Sequence, residues 1–225
     1  MNDRQLPLDL ALPPRMGRED FLPADPNATA LAAIDTTPLW PQGRLLLHGP
    51  RGSGRTHLAA IWAAESRAAR LSGATLALPE PAPAYAVDDA DAVAGDPARE
   101  EALFHLMNRA LAEGAPLLLT ARDTPGTWGL ALPDLQSRLL AMSTARLERP
   151  DDALLRMVLV KLFDERQIDV GEDTLAYLLR RIDRSLGAAR DVVAALDRAA
   201  LSRHRRVSRA LACDILDGAA HDALA

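Results

Sequence analysis

Residues Gly49-Pro50-Arg51-Gly52-Ser53-Gly54-Arg55-Thr56 follow an apolar run, Leu45-Leu46-Leu47. They precede a segment, His57 to Ala69, whose Leu58, Ala59, Ile61 and Trp62 recur near helical spacing. Strand, glycine-rich turn and helix make the setting a phosphate-binding loop requires. Glycines let successive backbone N–H groups point inward, and the helix N-terminus adds positive potential. The spacing is that of G-x-x-x-x-G-K-[ST] with one departure, Arg55 in the place of lysine. Lysine is a compact point charge and arginine a wide planar fork. The swap is compatible with gripping a nucleotide and less so with placing charge for hydrolysis. Lys161 is the only lysine among the 26 Lys and Arg residues, so Arg55 also follows a bias of the whole chain.

The chain has 225 residues, 48% of them apolar but only 4% aromatic, which implies a core built of Ala, Leu and Val. A net charge of −5 argues against a general nucleic-acid binder, though not against a local basic patch. The single cysteine, Cys213, excludes an internal disulfide framework and fits a reducing cytoplasm; it reads as a buried small apolar residue. No apolar leader and no bilayer-length apolar run is seen, so a cytoplasmic protein without membrane contact is expected. The histidines show no metal-ligand spacing.

Residues 1 to about 30 are rich in proline and polar residues and read as an extended or mobile arm, since Pro7, Pro13, Pro14, Pro23 and Pro26 would interrupt a helix. Within the arm, Gln5-Leu6-Pro7-Leu8-Asp9-Leu10 could place Leu6, Leu8 and Leu10 in a partner's groove; the spacing fits equally a tail with ordinary leucines. A short helix is expected at Asn27 to Ile34, then strands at Arg44–Leu47, Ala74–Leu78, Tyr85–Asp89, Pro116–Thr120 and Ala145–Leu147. Helices after the loop, from Pro97 and from Asp134 alternate with these strands. Beyond Pro150 the pattern is helical throughout, with Asp151 and Ser208 as N-caps. Alternation followed by helices predicts an α/β domain with a five-stranded parallel sheet and a small all-α lid. The expected boundaries are 1–19 for the arm, 20–149 for the α/β domain and 150–225 for the lid.

In the loop, Gly49, Pro50, Arg51, Gly52, Ser53, Gly54, Arg55 and Thr56, with His57 next in line, are the candidate nucleotide-binding residues. The Thr56 hydroxyl would also reach a Mg²⁺ ion. Asp88-Asp89 closes an apolar strand about thirty residues on, where Asp88 would hold the Mg²⁺ and Asp89 could orient an attacking water. Thr120, ending the fourth strand, stands where a polar group can sense a terminal phosphate. Arg138 lies in Leu135-Gln136-Ser137-Arg138-Leu139, and Arg184 at the start of a lid helix; by composition alone both fit a solvated surface as well. Trp40 and Trp62 read as core residues or walls of an adenine pocket. The arginines at 203, 205, 206 and 209 fit a solvated helix end better than a phosphate contact.

Together the phosphate loop, the acidic strand end, Leu132-Pro133-Asp134-Leu135-Gln136-Ser137-Arg138-Leu139, the lid segment Arg181-Ile182-Asp183-Arg184 and the Gln5–Leu10 stretch resemble the initiator clade of AAA+ proteins. The match is nearest to the DnaA-related Hda-type regulators and covers nearly the whole chain. The resemblance implies that Arg138 is an arginine finger presented in trans to nucleotide on a neighbouring subunit. It implies that Arg184 contacts bound ADP or ATP in cis and that Thr120 is near the first-sensor position. The glutamine-led hexapeptide, Gln5, Leu6, Leu8 and Leu10, looks like a motif for the sliding clamp of DNA polymerase III (its beta subunit). Pro7 and a final Leu10 instead of an aromatic depart from that motif.

The implied function is clamp-associated negative regulation of replication initiation, in which Arg138 stimulates ATP hydrolysis on DnaA and the chain's own ATPase is weak or absent. The resemblance leaves room for a homo-oligomer and for localisation at the nucleoid through the clamp. No helix-turn-helix segment is seen after the lid, so sequence-specific DNA binding is not expected. An autonomous P-loop ATPase of helicase-loader type and a non-enzymatic scaffold that sequesters DnaA remain open alternatives.

Overall fold

The computed structural model describes residues 16–222. They divide into two compact units, residues 16–149 and residues from 150 onward. The first unit carries five strands: β1 (Arg44–His48), β2 (Ala69–Ser72), β3 (Tyr85–Asp88), β4 (Leu117–Ala121) and β5 (Ser143–Arg146). Its helices are α1 (Asp25–Asp35), α2 (Arg55–Ser66), α3 (Pro97–Glu113) and α4 (Pro133–Leu140). The sheet is parallel throughout, in the order β2-β3-β4-β1-β5.

Period-two alternation explains how nearly continuous apolar runs cover both faces. Leu46, Tyr85, Val87, Leu117 and Leu119 point to one side, against Leu103, Leu106, Met107 and Ala110 of α3 and Leu135 and Leu139 of α4. Leu45, Leu47, Ala86, Leu118 and Ala145 point to the other, against Ala30 and Ile34 of α1 and Leu58, Ile61 and Trp62 of α2. Trp40 stacks on Trp62 with ring centroids 5.2 Å apart, and both are buried core. Helix α3 starts where Asp96 accepts from the amides of Ala98 and Arg99, and ends where Gly114 turns left-handed.

Three expectations are corrected. The second strand is Ala69–Ser72, not Ala74–Leu78. Arg67 turns left-handed and ends α2 at Ser66, which frees residues 69–72 to pair with Tyr85–Asp88. Gly73 then packs so closely on the Asp89 carbonyl that a Cβ there would lie 2.1 Å from its oxygen. Secondly, the arm does not reach residue 30: Phe21 is buried in the core and α1 begins at Asp25. Pro26 sits in the first helical turn, where a missing N–H costs nothing. Thirdly, Cys213 is half-buried, not enclosed.

The second unit holds α5 (Asp152–Asp164), α6 (Glu172–Arg181), α7 (Leu186–Arg203) and α8 (Arg209–Asp222). Leu155, Leu159, Phe163, Leu178, Val193 and Leu211 form its buried interior. Asp151 accepts from the Leu154 amide at 2.7 Å, Ser185 from Ala188 at 3.0 Å and Ser208 from Leu211 at 3.4 Å, so three of its helices have side-chain N-caps. Among the described residues, no helix is long and apolar enough to cross a membrane.

Candidate functional site

The loop runs from the last residue of β1 into the first turn of α2. Gly52 at φ 77° and Gly54 at φ 105° turn the chain left-handed, a conformation that costs glycine nothing. Ser53 donates its amide to the Pro50 carbonyl at 3.3 Å, and Leu58 donates to Gly54 at 3.0 Å. Among the described residues, the amides of Arg51, Gly52 and Gly54 have no backbone partner. The Ser53 hydroxyl is buried without a hydrogen-bond partner, as is one terminal nitrogen of Arg55. Native interiors rarely leave polar groups in this state, and orphaned donors around a glycine turn at a helix N-terminus are the signature of an anion site.

Three sequence-distant elements converge beside the loop. Thr120, fully buried at the end of β4, donates its hydroxyl to Asp88 at 2.5 Å and accepts the Asp89 amide at 2.9 Å. Asp89 adopts a left-handed backbone at φ 47°, ψ 54°. Its Oδ1 lies 3.2 Å from Arg55 Nη2, and Arg55 is only 8% exposed. Asp89, expected to orient an attacking water, thus lies at ion-pair distance from the loop's own arginine, its side chain about half exposed. Thr120→Val removes the donor to Asp88 and the acceptor for the Asp89 amide. It is expected to cost about 1–3 kcal/mol, read as a lowered urea midpoint.

The residues expected to hold Mg²⁺ bring few free oxygens of their own. Asp88 spends one oxygen on Thr120, Asp89 lies at ion-pair distance from Arg55, and Thr56 offers a single hydroxyl. Among the described residues no group of three or more His, Cys, Asp or Glu side chains could hold a metal. His57, next in line, directs its ring away from the loop's backbone. Its Nε2 lies 3.1 Å from the Gly17 carbonyl and its ring meets Phe21 edge-on at 5.4 Å, so it anchors the segment before α1.

A cleft of about 750 Å³ opens over the start of the loop, lined by His48, Gly49, Arg51, Arg122, Arg146 and Arg149 among others. Its rim sets four arginines against Asp123 and Glu148, a positive balance that suits an approaching polyphosphate. Burial and the neighbouring Arg146 push the His48 imidazole below its ordinary pKa, with Asp123 and Glu148 opposing. This favours the neutral ring.

Arg138 occupies a different part of the unit. It is half-buried on α4, its guanidinium 4.7 Å from the Phe104 ring centroid and donating to the Asn108 side chain. Its charge, after burial, is what lowers the pKa of Arg44, the first residue of β1. The phosphate loop leaves the other end of that strand, about 13 Å away. Arg44 is itself buried, donating to the Met107 carbonyl at 2.9 Å.

The loop that leads into α4 is fastened by Glu100, which is 1% exposed. It accepts the amides of Gly95 at 3.2 Å and of Ala131 and Leu132 at 2.9 Å each. Glu100, Phe104, Asn108 and Arg44 were not legible as site residues, since each acts through a partner about thirty or more positions away. The nearest sequence signal was the acid at 100 in the first turn of an otherwise amphipathic helix.

In the second unit, Arg184 lies beside the Ser185 cap and pairs with Asp152 at 3.0 Å, both side chains more than half exposed. The expected docking residues Gln5, Leu6, Leu8 and Leu10 lie outside the described residues.

No protein-family model matches the chain. A Haemophilus influenzae protein described as uncharacterized is 30% identical over 174 residues, covering 71% of this chain and 75% of that protein. Domain III of the replication initiation protein DnaA from Thermotoga maritima is similar in structure, with a TM-score of 0.77 and 18% identity over 91% of this chain and 96% of that one. AMPPCP-bound DnaA from Aquifex aeolicus gives a TM-score of 0.71 and 16% identity, covering 83% of this chain and 66% of that chain. The five-stranded parallel sheet with its flanking helices is the fold of an AAA+ domain such as DnaA domain III.

Proposed function

Because the chain belongs to the family of the uncharacterized Haemophilus influenzae protein and has an AAA+ fold, we propose that it is a DnaA-directed negative regulator of replication initiation, of the Hda type. In this reading the loop Gly49–Thr56 grips an adenine nucleotide, either ADP or ATP. Thr120 senses its terminal phosphate, and Arg184 contacts it from the lid. Arg138 reaches the γ-phosphate of ATP held by DnaA. The Gln5–Leu10 stretch docks on the DNA-loaded sliding clamp and brings the regulator to its target.

The observation that carries this reading is the position of Arg138. It sits against Phe104 and Asn108 of α3 and near Arg44, the first residue of β1, whereas the phosphate loop begins beyond the last. An arginine so placed, half-exposed on a short helix and aimed by Phe104 and Asn108, serves a neighbour's nucleotide better than its own. The Arg55–Asp89 ion pair supports the second half of the reading. It removes the acid that would polarise water and leaves the chain's own hydrolysis weak.

The test is a reconstitution that follows phosphate release from ATP-loaded DnaA. Release should accelerate only when this chain and DNA-loaded clamp are both present. Turnover of ATP by the chain alone at the reconstituted rate would replace the reading with an autonomous ATPase.

A further inference from the structure

We propose that Arg55 does the work of the divalent cation, so that the chain takes its nucleotide as the metal-free anion. This rests on the reading of Gly49–Thr56 as a nucleotide loop. Arg55 opens α2 and is buried to all but 8% of its surface. Its Nη2 lies 3.2 Å from Asp89 Oδ1, while its Nη1 is enclosed and without a hydrogen-bond partner.

The acid in this pair is held in place. The Asp89 amide is bonded to the Thr120 hydroxyl at 2.9 Å, its backbone is left-handed, and Gly73 lies against its carbonyl. Its backbone therefore holds the carboxylate within reach of Arg55. A guanidinium is a planar fork whose edges can serve two anions at once. With Nη2 at ion-pair distance from Asp89 and no hydrogen bond formed between them, the buried Nη1 is left for a phosphate oxygen.

An ion bridging protein carboxylate and nucleotide phosphate is the role Mg²⁺ plays when one or two acids and the phosphates share it. Here a fixed cation already stands beside Asp89, and Asp88 has one oxygen committed to Thr120. A lysine at 55 would be a point charge on a flexible stem and could not span both partners. Arg55 is thus a specificity-determining residue: it selects nucleotide stripped of its metal.

The experiment is calorimetric titration of ADP into the full chain, once in millimolar Mg²⁺ and once in EDTA, for wild type and Arg55→Lys. Wild type should bind with affinities within about threefold of each other, and Arg55→Lys should bind about tenfold or more weakly in EDTA. A tenfold loss for wild type in EDTA overturns the inference and leaves nucleotide binding standing. A metal-independent Arg55→Lys overturns the assignment to Arg55. Absence of ADP binding by wild type in both buffers overturns the inference together with the nucleotide reading. The wild-type comparison needs no variant, so a misfolded Arg55→Lys does not mask the result.

Discussion

Arg138→Ala lowers clamp-dependent phosphate release from ATP-loaded DnaA by about 10³-fold or more, while this chain still binds nucleotide. An arginine finger stabilises charge that develops on the transferred phosphoryl group, and removing one costs about 10³–10⁵ in rate. The nucleotide loop is untouched because, among the described residues, the side-chain contacts of Arg138 are with Phe104 and Asn108 of α3. The fold should tolerate the change: Arg138 is half-buried, and its core neighbours Leu135 and Leu139 are retained. Arg138→Lys is expected to rescue poorly, because an ammonium cannot reproduce a planar fork held against an aromatic ring. Single-turnover phosphate release with equal amounts of bound variant separates the outcomes. Undiminished release by Arg138→Ala would leave a scaffold that sequesters DnaA without chemistry.

The strand–turn–helix around Gly49–Thr56 was legible because its signals are local. Apolar residues at 45–47, glycines at 52 and 54 and helical spacing from 58 all lie within one short window. The same holds for Asp88 and Thr120, which close apolar strands at their carboxyl ends, where ligands of a parallel sheet gather. The edge strand was not legible. Ala69-Arg70-Leu71-Ser72 alternates between half-buried and exposed and carries one large apolar residue, whereas Ala74-Thr75-Leu76-Ala77-Leu78 has the better strand composition. Pairing with β3, not propensity, decided the outcome.

The chemistry at Arg55 shows the same division. The motif placed a cation in the loop and acids at 88 and 89, each correctly near the end of its element. What the spacing did not show is that the arginine comes within 3.2 Å of Asp89, the acid expected to serve water. A lysine read into that position would have implied a hydrolytic centre. The longer, forked side chain implies a grip. Tertiary geometry separates the two, since residues 55 and 89 meet only after β1, β4 and β3 are aligned.

Glu100→Ala destabilises the first unit by about 3–5 kcal/mol, and the loss falls on the segment that carries Arg138. Glu100 is an enclosed acid whose two oxygens accept three backbone amides, from Gly95, Ala131 and Leu132. Deleting it removes the partner of all three amides, at about 1–3 kcal/mol for each left unsatisfied, and water replaces part of the loss at the exposed Gly95 and Ala131. Leu132 is the N-cap residue of α4, so the side chain of α3 fixes where that helix begins. All three tryptophans, Trp40, Trp62 and Trp128, lie in the first unit, and their fluorescence in urea therefore reports this unit alone. The midpoint should fall at an unchanged slope. Glu100→Gln retains one acceptor oxygen and much of the stability, but loses the charge-assisted hold on α4. At a urea-free temperature where it is folded, Glu100→Gln should bind nucleotide as wild type does and stimulate DnaA hydrolysis less, because α4 no longer holds Arg138 in one direction. Equal stimulation by Glu100→Gln and wild type would show that Phe104 and Asn108 aim Arg138 without help from the α4 anchor.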